Sequence, residues 1–295
     1  MQSIQTTDDL RETTPHGFPD FPLKYYLDDT REYYNHEINW HWHKEFEICY
    51  ISQGSITCYV DQHSFTLYAG DGLFINSGIL HRFTSDEYGV MPNVVFSPAF
   101  IAPADSLIYQ KYVAPIENAA LPYLLLKREE TWQIQIAVLY DQMFHLLSQK
   151  DYHELLIRNH LCEAWYIMIQ HLSTDQLTPK NSTPINHAGN CIPVMLQYIQ
   201  THYADSISLT DIANTANVSK NTALRYFQEN IGISPIDYLI QYRIGIACRL
   251  LNETNDKIAH IAANTGYDNT SYFCRLFKKY VGMSPAQYRS RKVLR

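Results

Sequence analysis

The C-terminal third of the chain contains one helical unit twice, and this duplication constrains the fold more than any other feature of the sequence. The first copy opens with Asp211-Ile212-Ala213 and the second with His260-Ile261-Ala262, an offset of 49 residues. From Ser219 and Asn269 onward the offset is 50 residues, so the second copy has one extra residue in its turn. Each copy predicts a short helix, a turn and a second helix, the layout of a helix-turn-helix.

The second helix of each copy has a polar outward face. Ser219 and Asn269 can accept hydrogen bonds from the free amides at a helix start. Apolar residues then recur at helical spacing and predict a buried stripe: Ala223, Tyr226 and Phe227, then Phe273, Leu276 and Phe277. The outward faces hold Lys220, Asn221, Leu224 and Arg225, then Thr270, Ser271, Cys274 and Arg275.

These faces suit contact with DNA, because Arg can pair with guanine, Asn with adenine, and Ser or Thr with bases or phosphate. The alternative is an ordinary solvated helix face, which the matched caps and offsets disfavour. The residues predicted to contact DNA are Lys220, Asn221, Thr222, Arg225, Asn269, Thr270, Ser271, Arg275 and Lys278.

The tandem unit resembles the DNA-binding half of the AraC/XylS family of transcription regulators. The second copy carries the closer match, through Gly266-Tyr267, Asn269, Tyr272-Phe273-x-Arg275-x-Phe277 and Gly282-x-Ser284-Pro285. The first copy departs where the family usually has Leu, since it has Ala223. The resemblance covers roughly residues 190–292 and implies two recognition helices, about one DNA turn or 34 Å apart, that read double-stranded DNA.

The N-terminal half is predicted to be an all-β barrel. Short runs rich in Ile, Phe, Tyr and Val alternate with turn residues between Trp40 and about Phe96. His41-Trp42-His43-Lys44-Glu45-Phe46-Glu47 through Gly54 resembles the first cupin motif, and Gly70, Gly78 and His81 resemble the second. Asn76 and Ser85 depart from the second motif, and Asn35 stands where a glycine precedes the first.

Strand alternation places three of the motif's polar residues, His41, His43 and Glu47, on one face, and His81 can join them from another strand. In cupins such a set holds a divalent transition metal. The same four side chains can instead bind a small polar ligand such as a carbohydrate, or hydrogen-bond one another. A polar ligand is the favoured interpretation. Because side chains alternate along a strand, Trp40 and Trp42 are expected to point away from this pocket.

Residues 131–172 are predicted to form a helical hairpin. Trp132, Ile136, Leu139, Met143 and Leu146 form one apolar stripe, and Ile157, Leu161, Ala164 and Met168 a second. Further apolar residues lie off these stripes at Ile134, Val138, Leu155, Trp165 and Ile169. The hairpin either covers the barrel or forms a dimer interface, and the extra apolar residues favour the dimer.

Charge and cysteine usage agree with a two-part chain. Residues 187–295 carry 12 Lys and Arg against 7 Asp and Glu, whereas residues 1–186 carry 11 against 23. A positive half attracts phosphate and a negative half avoids it. The 6 cysteines include no CxxC pair, which favours reduced thiols over disulfides or a zinc finger. No apolar run predicts a signal peptide or a membrane span, so a cytoplasmic location is expected.

The sequence therefore predicts an N-terminal arm (1–35), a cupin-like effector-sensing barrel (36–130), a helical hairpin for dimerisation (131–172), a linker (173–189) and a tandem helix-turn-helix domain (190–295). The predicted function is a DNA-binding transcription regulator, not an enzyme, that forms a homodimer, responds to a small-molecule effector and meets the transcription machinery. A cupin metalloenzyme with an accessory DNA-binding domain is the alternative, and a ligand-free architectural DNA binder is a third. The presence of two complete helix-turn-helix units favours the transcription regulator over the other two functions.

Overall fold

The computed structural model describes residues 4–7, 10–61, 63–149, 153–179 and 187–291. The chain divides into two compact units, residues 1–184 and 185–295. Parts of the predicted arm (1–3, 8 and 9), of the hairpin turn (150–152), of the linker (180–186) and of the C-terminus (292–295) lie outside the described residues. In the part of the chain that is described, no helix is both long and apolar enough to cross a membrane.

In the described residues of the first unit, nine antiparallel strands form the framework. These are β1 (Leu23–Asp29), β2 (Glu37–His41), β3 (Phe46–Tyr50), β4 (Gln53–Val60), β5 (His63–Tyr68), β6 (Gly72–Ile75), β7 (His81–Thr84), β8 (Gly89–Phe96) and β9 (Tyr123–Leu126). One group of strands has the order β1-β8-β3-β6-β9 and the other the order β2-β7-β4-β5. Pairing of β4 with β8 through Gly54 and Gly89 joins the two groups into the predicted cupin-like barrel.

Side-chain alternation along β3 shows how the barrel separates its two environments. Phe46, Ile48 and Tyr50 belong to one hydrophobic cluster, which also contains residues of the helices that follow the barrel. Cys49 belongs to the other cluster, with interior residues of β4, β6 and β7. Because successive side chains of a strand point to opposite faces, Glu47 faces the same side as Cys49. A carboxylate therefore enters the barrel while its neighbours pack outside it.

The helical hairpin packs on the barrel. Short helical segments (Tyr109–Val113, then α1, Ala114–Glu117) precede β9, and the hairpin itself is α2 (Thr131–Leu147) and α3 (Glu154–His171). Trp165 of α3 is 2% exposed, stacks on Phe46 at a ring-centroid distance of 5.0 Å and donates a hydrogen bond from Nε1 to the carbonyl of Tyr112. The predicted stripe residues Ile136 and Met143 are fully buried in this same cluster.

Two expectations about the first unit are corrected by the strands. Residues 1–35 were assigned to an arm separate from the barrel, but β1 pairs with β8 over its whole length, Leu23 opposite Phe96 to Asp29 opposite Val90. The first cupin motif was expected in one strand, but it spans the end of β2, a connection at residues 42–45 and the start of β3. The strand pattern of β1 was not recognised because a Pro-rich segment precedes it. The motif was assigned to a single strand because β2 and β3 follow one another closely.

The second unit is helical: α4 (His187–His202), α5 (Leu209–Thr215), α6 (Lys220–Asn230), α7 (Pro235–Glu253), α8 (Ile258–Asn264), α9 (Thr270–Val281) and α10 (Pro285–Arg291). The linker was expected to reach residue 189, but α4 already begins at His187. The duplicated helix-turn-helix is confirmed as α5–α6 and α8–α9, with α7 between them. The caps are confirmed as well, because Ser219 accepts from the amide of Thr222 and Asn269 from that of Tyr272.

Candidate functional sites

The barrel brings its four predicted site residues into one buried group. His41 ends β2, His43 lies in the connection, Glu47 is in β3 and His81 opens β7, where it pairs with His41. Their exposed fractions are 4%, 3%, 3% and 0% in that order. One ligating atom from each residue lies within 4.8 Å of all the others. The site therefore contains three imidazoles and one carboxylate, withdrawn from solvent.

Backbone carbonyls fix the orientation of all three imidazole rings. Nδ1 of His41 lies 2.7 Å from the carbonyl oxygen of Asn39, Nδ1 of His43 lies 3.1 Å from that of Glu45, and Nδ1 of His81 lies 2.8 Å from that of Ile79. A carbonyl oxygen only accepts hydrogen bonds, so each Nδ1 carries the proton. In the neutral ring, Nε2 then presents a lone pair.

Glu47 faces these Nε2 atoms. Its Oε2 lies 3.3 Å from Nε2 of His43 and 3.1 Å from Nε2 of His81. Burial alone would raise the pKa of the Glu47 carboxyl, but His43 and His81, when protonated, donate hydrogen bonds and positive charge that outweigh burial and hold this pKa well below its usual range. A carboxylate and two imidazole lone pairs repel one another unless a cation lies among them. Protonation of an imidazole or a bound metal ion supplies that cation.

His41 supplies a neutral donor to the same group. Burial, together with the nearby His81 and His43, holds the pKa of the His41 imidazole well below its usual value. Its ring centroid lies 4.1 Å from that of His81. Near neutral pH this ring is uncharged, and its Nε2 lone pair is available to a metal ion or to a donor group of a ligand.

The donor set fits a divalent transition metal. Imidazole nitrogens and a carboxylate oxygen are donors that zinc, copper, nickel and iron accept. Metal-bound histidines almost always donate the second ring N–H to a carbonyl or carboxylate, and all three rings here are held in that way. His41, His43, Glu47 and His81 are the residues that would hold the ion.

Sequence reasoning missed a second layer of polar residues from the segment before β1. The side chains of Glu12 and His16 are only 8% and 4% exposed, with Glu12 Oε2 at 3.4 Å from His16 Nε2. The His16 ring lies 5.2 Å from that of His43, and its Nδ1 is 2.9 Å from the Tyr26 hydroxyl. This segment is held by hydrogen bonds between its backbone and that of Trp42. A Glu and a His four residues apart in a Pro-rich stretch are too common to have signalled the site.

A further carboxylate, that of the partly buried Asp28 of β1, lies close enough to Glu47 for the charge of Glu47 to act on it. It accepts hydrogen bonds from the Tyr33 hydroxyl at 2.5 Å and from Asn93 Nδ2 at 2.6 Å. Burial raises the pKa of the Asp28 carboxyl, and the charge of Glu47 adds to this effect. The interior therefore offers several fixed hydrogen-bonding groups around the histidines, as a polar ligand requires.

The tryptophans beside the motif have different positions. Trp40 is 1% exposed, with the guanidinium of Arg82 at 5.9 Å and the ring of Tyr59 at 6.1 Å. The backbone of Trp42 holds the N-terminal segment in place. Trp40 is accordingly part of the packed wall of the barrel.

The second unit presents the predicted DNA contacts on two helices. Lys220, Asn221 and Arg225 are exposed on α6, as are Ser271, Arg275 and Lys278 on α9. Of the other three, Thr222 lies 2.8 Å from the hydroxyl of the cap Ser219 and Asn269 is itself a cap, while Thr270 is the half-buried first residue of α9. The opposite faces of the two helices are buried through Ala223 and Phe227, and through Phe273 and Phe277.

The two outward faces differ in charge. Arg225 has an acidic neighbour on its own helix, with Nη1 at 3.8 Å from Glu229 Oε1. The α9 segment Thr270–Val281 contains Arg275, Lys278 and Lys279 and no acidic residue. Both arginines lie over a tyrosine ring, Arg225 over Tyr226 at 5.0 Å and Arg275 over Tyr272 at 5.3 Å.

Two family models match the chain. One is described as an AraC-like ligand binding domain and matches residues 30–161, and the other is described as a helix-turn-helix domain and matches residues 212–291. The first includes the buried histidines, α2 and the beginning of α3, and the second includes α6 and α9. Together they span well over half of the chain.

Known proteins resemble the chain over different lengths. The uncharacterized HTH-type transcriptional regulator YdeC of Bacillus subtilis (strain 168) is 29% identical over 98% of this chain and 99% of its own length. The melibiose operon regulatory protein of Escherichia coli (strain K12) is 35% identical over 38% of this chain and 37% of its own length. A solved structure, the DNA-binding domain of AdpA in complex with a target DNA, is 26% identical with a TM-score of 0.32, over 33% of this chain and 87% of that chain.

The ionised state of Glu47 predicts a specific loss of stability in acid. Because the pKa of Glu47 is lower in the folded protein than its ordinary value of 4.5, the ionised carboxylate stabilises the fold when the pH is above 4.5. This contribution to the free energy of unfolding is lost as the pH falls below that value. In chelator-treated protein, the difference in unfolding free energy between the natural chain and Glu47→Gln should shrink from pH 6 to about pH 3. Urea denaturation at each pH measures it.

Glu45→Gln is the matched control, because it removes the same charge from a half-buried position two residues away. The difference between the natural chain and Glu45→Gln should depend much less on pH. Equal pH dependence for the two variants would contradict a carboxylate held ionised by the buried imidazoles.

Proposed function

Because the chain belongs to the AraC/XylS family of transcription regulators, with a ligand-binding domain and a helix-turn-helix DNA-binding domain, we propose that a small polar molecule binds among the buried histidines and modulates the reading of DNA by α6 and α9. The single observation that carries this proposal is the set of Nε2 atoms facing Glu47 inside the barrel. We propose as well that the DNA-bound protein interacts with the transcription machinery and that it acts in the cytoplasm.

A polyhydroxyl compound suits the pocket chemically. Carboxylates accept from hydroxyl groups, while an imidazole nitrogen accepts or donates according to its protonation. Glu47 and His41 provide such groups at the centre, and His16 and Asp28 extend them. A carbohydrate presents several hydroxyls at fixed spacing and can satisfy many of these groups at once. We therefore favour a carbohydrate or a similar polar effector.

A divalent metal ion is the second candidate occupant, supported by the carbonyl-tied Nδ1 atoms. When bound, such an ion acts as a Lewis acid that attracts an oxygen or nitrogen atom of an effector. The protein residues fix their own imidazole orientation and keep bulk water out. A metalloenzyme is not the function that follows, since the family models and relatives describe transcription regulators.

Effector binding can influence DNA reading only through contacts that differ between two states of the protein. The hairpin is well placed to respond, because Phe46, one residue before Glu47, stacks on Trp165 of α3. A shift of β3 at the pocket is thereby transmitted to a helix on the outside of the barrel. We propose this strand-to-helix contact as the first step of the response.

We also propose that the chain forms a homodimer through the outer side of the hairpin. The apolar stripe of α2 is largely buried against the barrel, with Met143 at 0% exposure and Leu139 half-buried. The outer side of α2 instead exposes Ile134 and Val138 at 44% and 49%, four residues apart on one helical face. Adjacent exposed apolar residues on a helix are the kind of surface that a partner covers.

Chelator-treated protein should gain thermal stability from an occupant of the histidine pocket. Thermal unfolding with cobalt, nickel or zinc salts, and separately with a panel of monosaccharides and disaccharides, identifies the class. A ligand present at 100 times its Kd adds about 2.7 kcal/mol. His81→Gln and Glu47→Gln should each lose this gain, and the same ligand should change the affinity of the natural chain for DNA.

The matched control is His63→Gln, since His63 is an exposed histidine of β5 in the same barrel. It should keep the full gain in stability. A gain that survives in His81→Gln, or the absence of any gain across both ligand classes, would contradict the pocket as the effector site. A gain from metal salts alone would identify the ion as the occupant.

The double substitution Ile134→Glu with Val138→Glu should convert a dimer into a monomer, because four buried carboxylates at a symmetric interface would repel one another. Sedimentation equilibrium measures the mass. Leu107→Glu is the control, since this leucine is 80% exposed and lies outside the hairpin. A natural chain that sediments as a monomer, or a doubly substituted chain that remains dimeric, would overturn this interface.

A further inference from the structure

One apolar side chain lies in the middle of the polar outward face of α6. The face consists of Lys220, Asn221, Leu224, Arg225, Gln228 and Glu229, all of them exposed. Leu224 is 37% exposed, whereas the adjacent Ala223 is fully buried on the opposite side. Leu224 is therefore not needed to fill the core of the helix-turn-helix.

The neighbours of Leu224 are groups that hydrogen-bond to bases. Residues three or four positions apart meet on a helix surface, so Leu224 lies between Asn221 and Gln228. Arg225 follows it directly, with its guanidinium 5.0 Å from the ring of Tyr226 and 3.8 Å from Glu229. With these two contacts the Arg225 side chain is still 62% exposed beside Leu224. The apolar group and the donors thus form one compact surface.

The major groove offers one apolar feature for such a surface. Thymine carries a C5-methyl group there, while the other base edges present hydrogen-bond donors and acceptors. Resting on the proposed role of α6 as a DNA reader, we propose that Leu224 recognises a thymine by contact with its C5-methyl group. Asn221 and Arg225 bond the neighbouring bases of the same segment. Leu224 is then a specificity-determining residue for the first recognition helix.

The corresponding residue of α9 does not offer this contact. Fifty residues further along the chain is Cys274, which is smaller and half-buried. Beside it α9 exposes Arg275, Lys278 and Lys279 without an acidic residue on the helix. Such a face attracts phosphate in a way that does not depend on sequence. The methyl contact therefore belongs to α6, and the basic face of α9 adds attraction to phosphate to the reading proposed for both helices.

The test is a double-mutant cycle that combines a substitution in the protein with a substitution in the DNA. The full chain first selects its preferred duplex from a random pool, and each thymine of that duplex is then replaced singly by deoxyuridine, which lacks only the methyl group. Replacement at one thymine should weaken binding about fourfold, the factor that corresponds to one buried methyl-sized group. Leu224→Ala should bind the thymine duplex more weakly than the natural chain does. Deoxyuridine at that position should then cause this variant no further loss of affinity.

Val194→Ala is the matched control, because Val194 of α4 is an equally exposed apolar residue at 36%. It should keep both the affinity and the sensitivity to deoxyuridine. Thermal unfolding of Leu224→Ala should match that of the natural chain, and Leu224→Val should give an intermediate loss. Deoxyuridine sensitivity that persists unchanged in Leu224→Ala, or no sensitive thymine at all, would overturn the inference. A pool from which no sequence is enriched would refute DNA reading itself, a distinct and earlier failure.

Discussion

Glu47 is removed from water, and the compensation of its charge is the constraint on which the first unit depends. An uncompensated buried carboxylate is costly, so it is found with a cation or fixed donors. Here the compensation comes from His43 and His81, whose rings are held by backbone carbonyls. The alternation of β3 turns Glu47 inward because Phe46 packs outward on Trp165. The two faces of β3 thus contact the helical hairpin on one side and the polar pocket on the other.

Local patterns in the sequence were sufficient for the fold class and for the duplicated reader. Capping residues and apolar spacing are short-range signals, and they placed α6 and α9 together with their caps. The motif also identified the four residues that converge in the barrel. Long-range pairing was not visible in the same way. The strand Leu23–Asp29 is defined by its partner β8, and its own sequence follows a Pro-rich segment that disguised it.

The remaining differences have a similar origin. Burial of Met143 against the barrel depends on which face of α2 meets β-strand side chains, and helical periodicity alone does not reveal the partner of a stripe. The approach of His16 to His43 depends on backbone pairing of a distant segment with Trp42. The position of Leu224, by contrast, was readable from the sequence, but only its exposure among donors suggests a task for it.

The proposed site requires that three imidazoles present Nε2 to the centre of the barrel. Nitrogen-15 NMR of histidine-labelled, chelator-treated protein tests it most directly, because protonated and unprotonated ring nitrogens differ strongly in chemical shift. We expect protonated Nδ1 atoms for His41, His43 and His81, with an unprotonated Nε2 on His41 near neutral pH. An unprotonated Nδ1 on any of the three rings would contradict the proposed site.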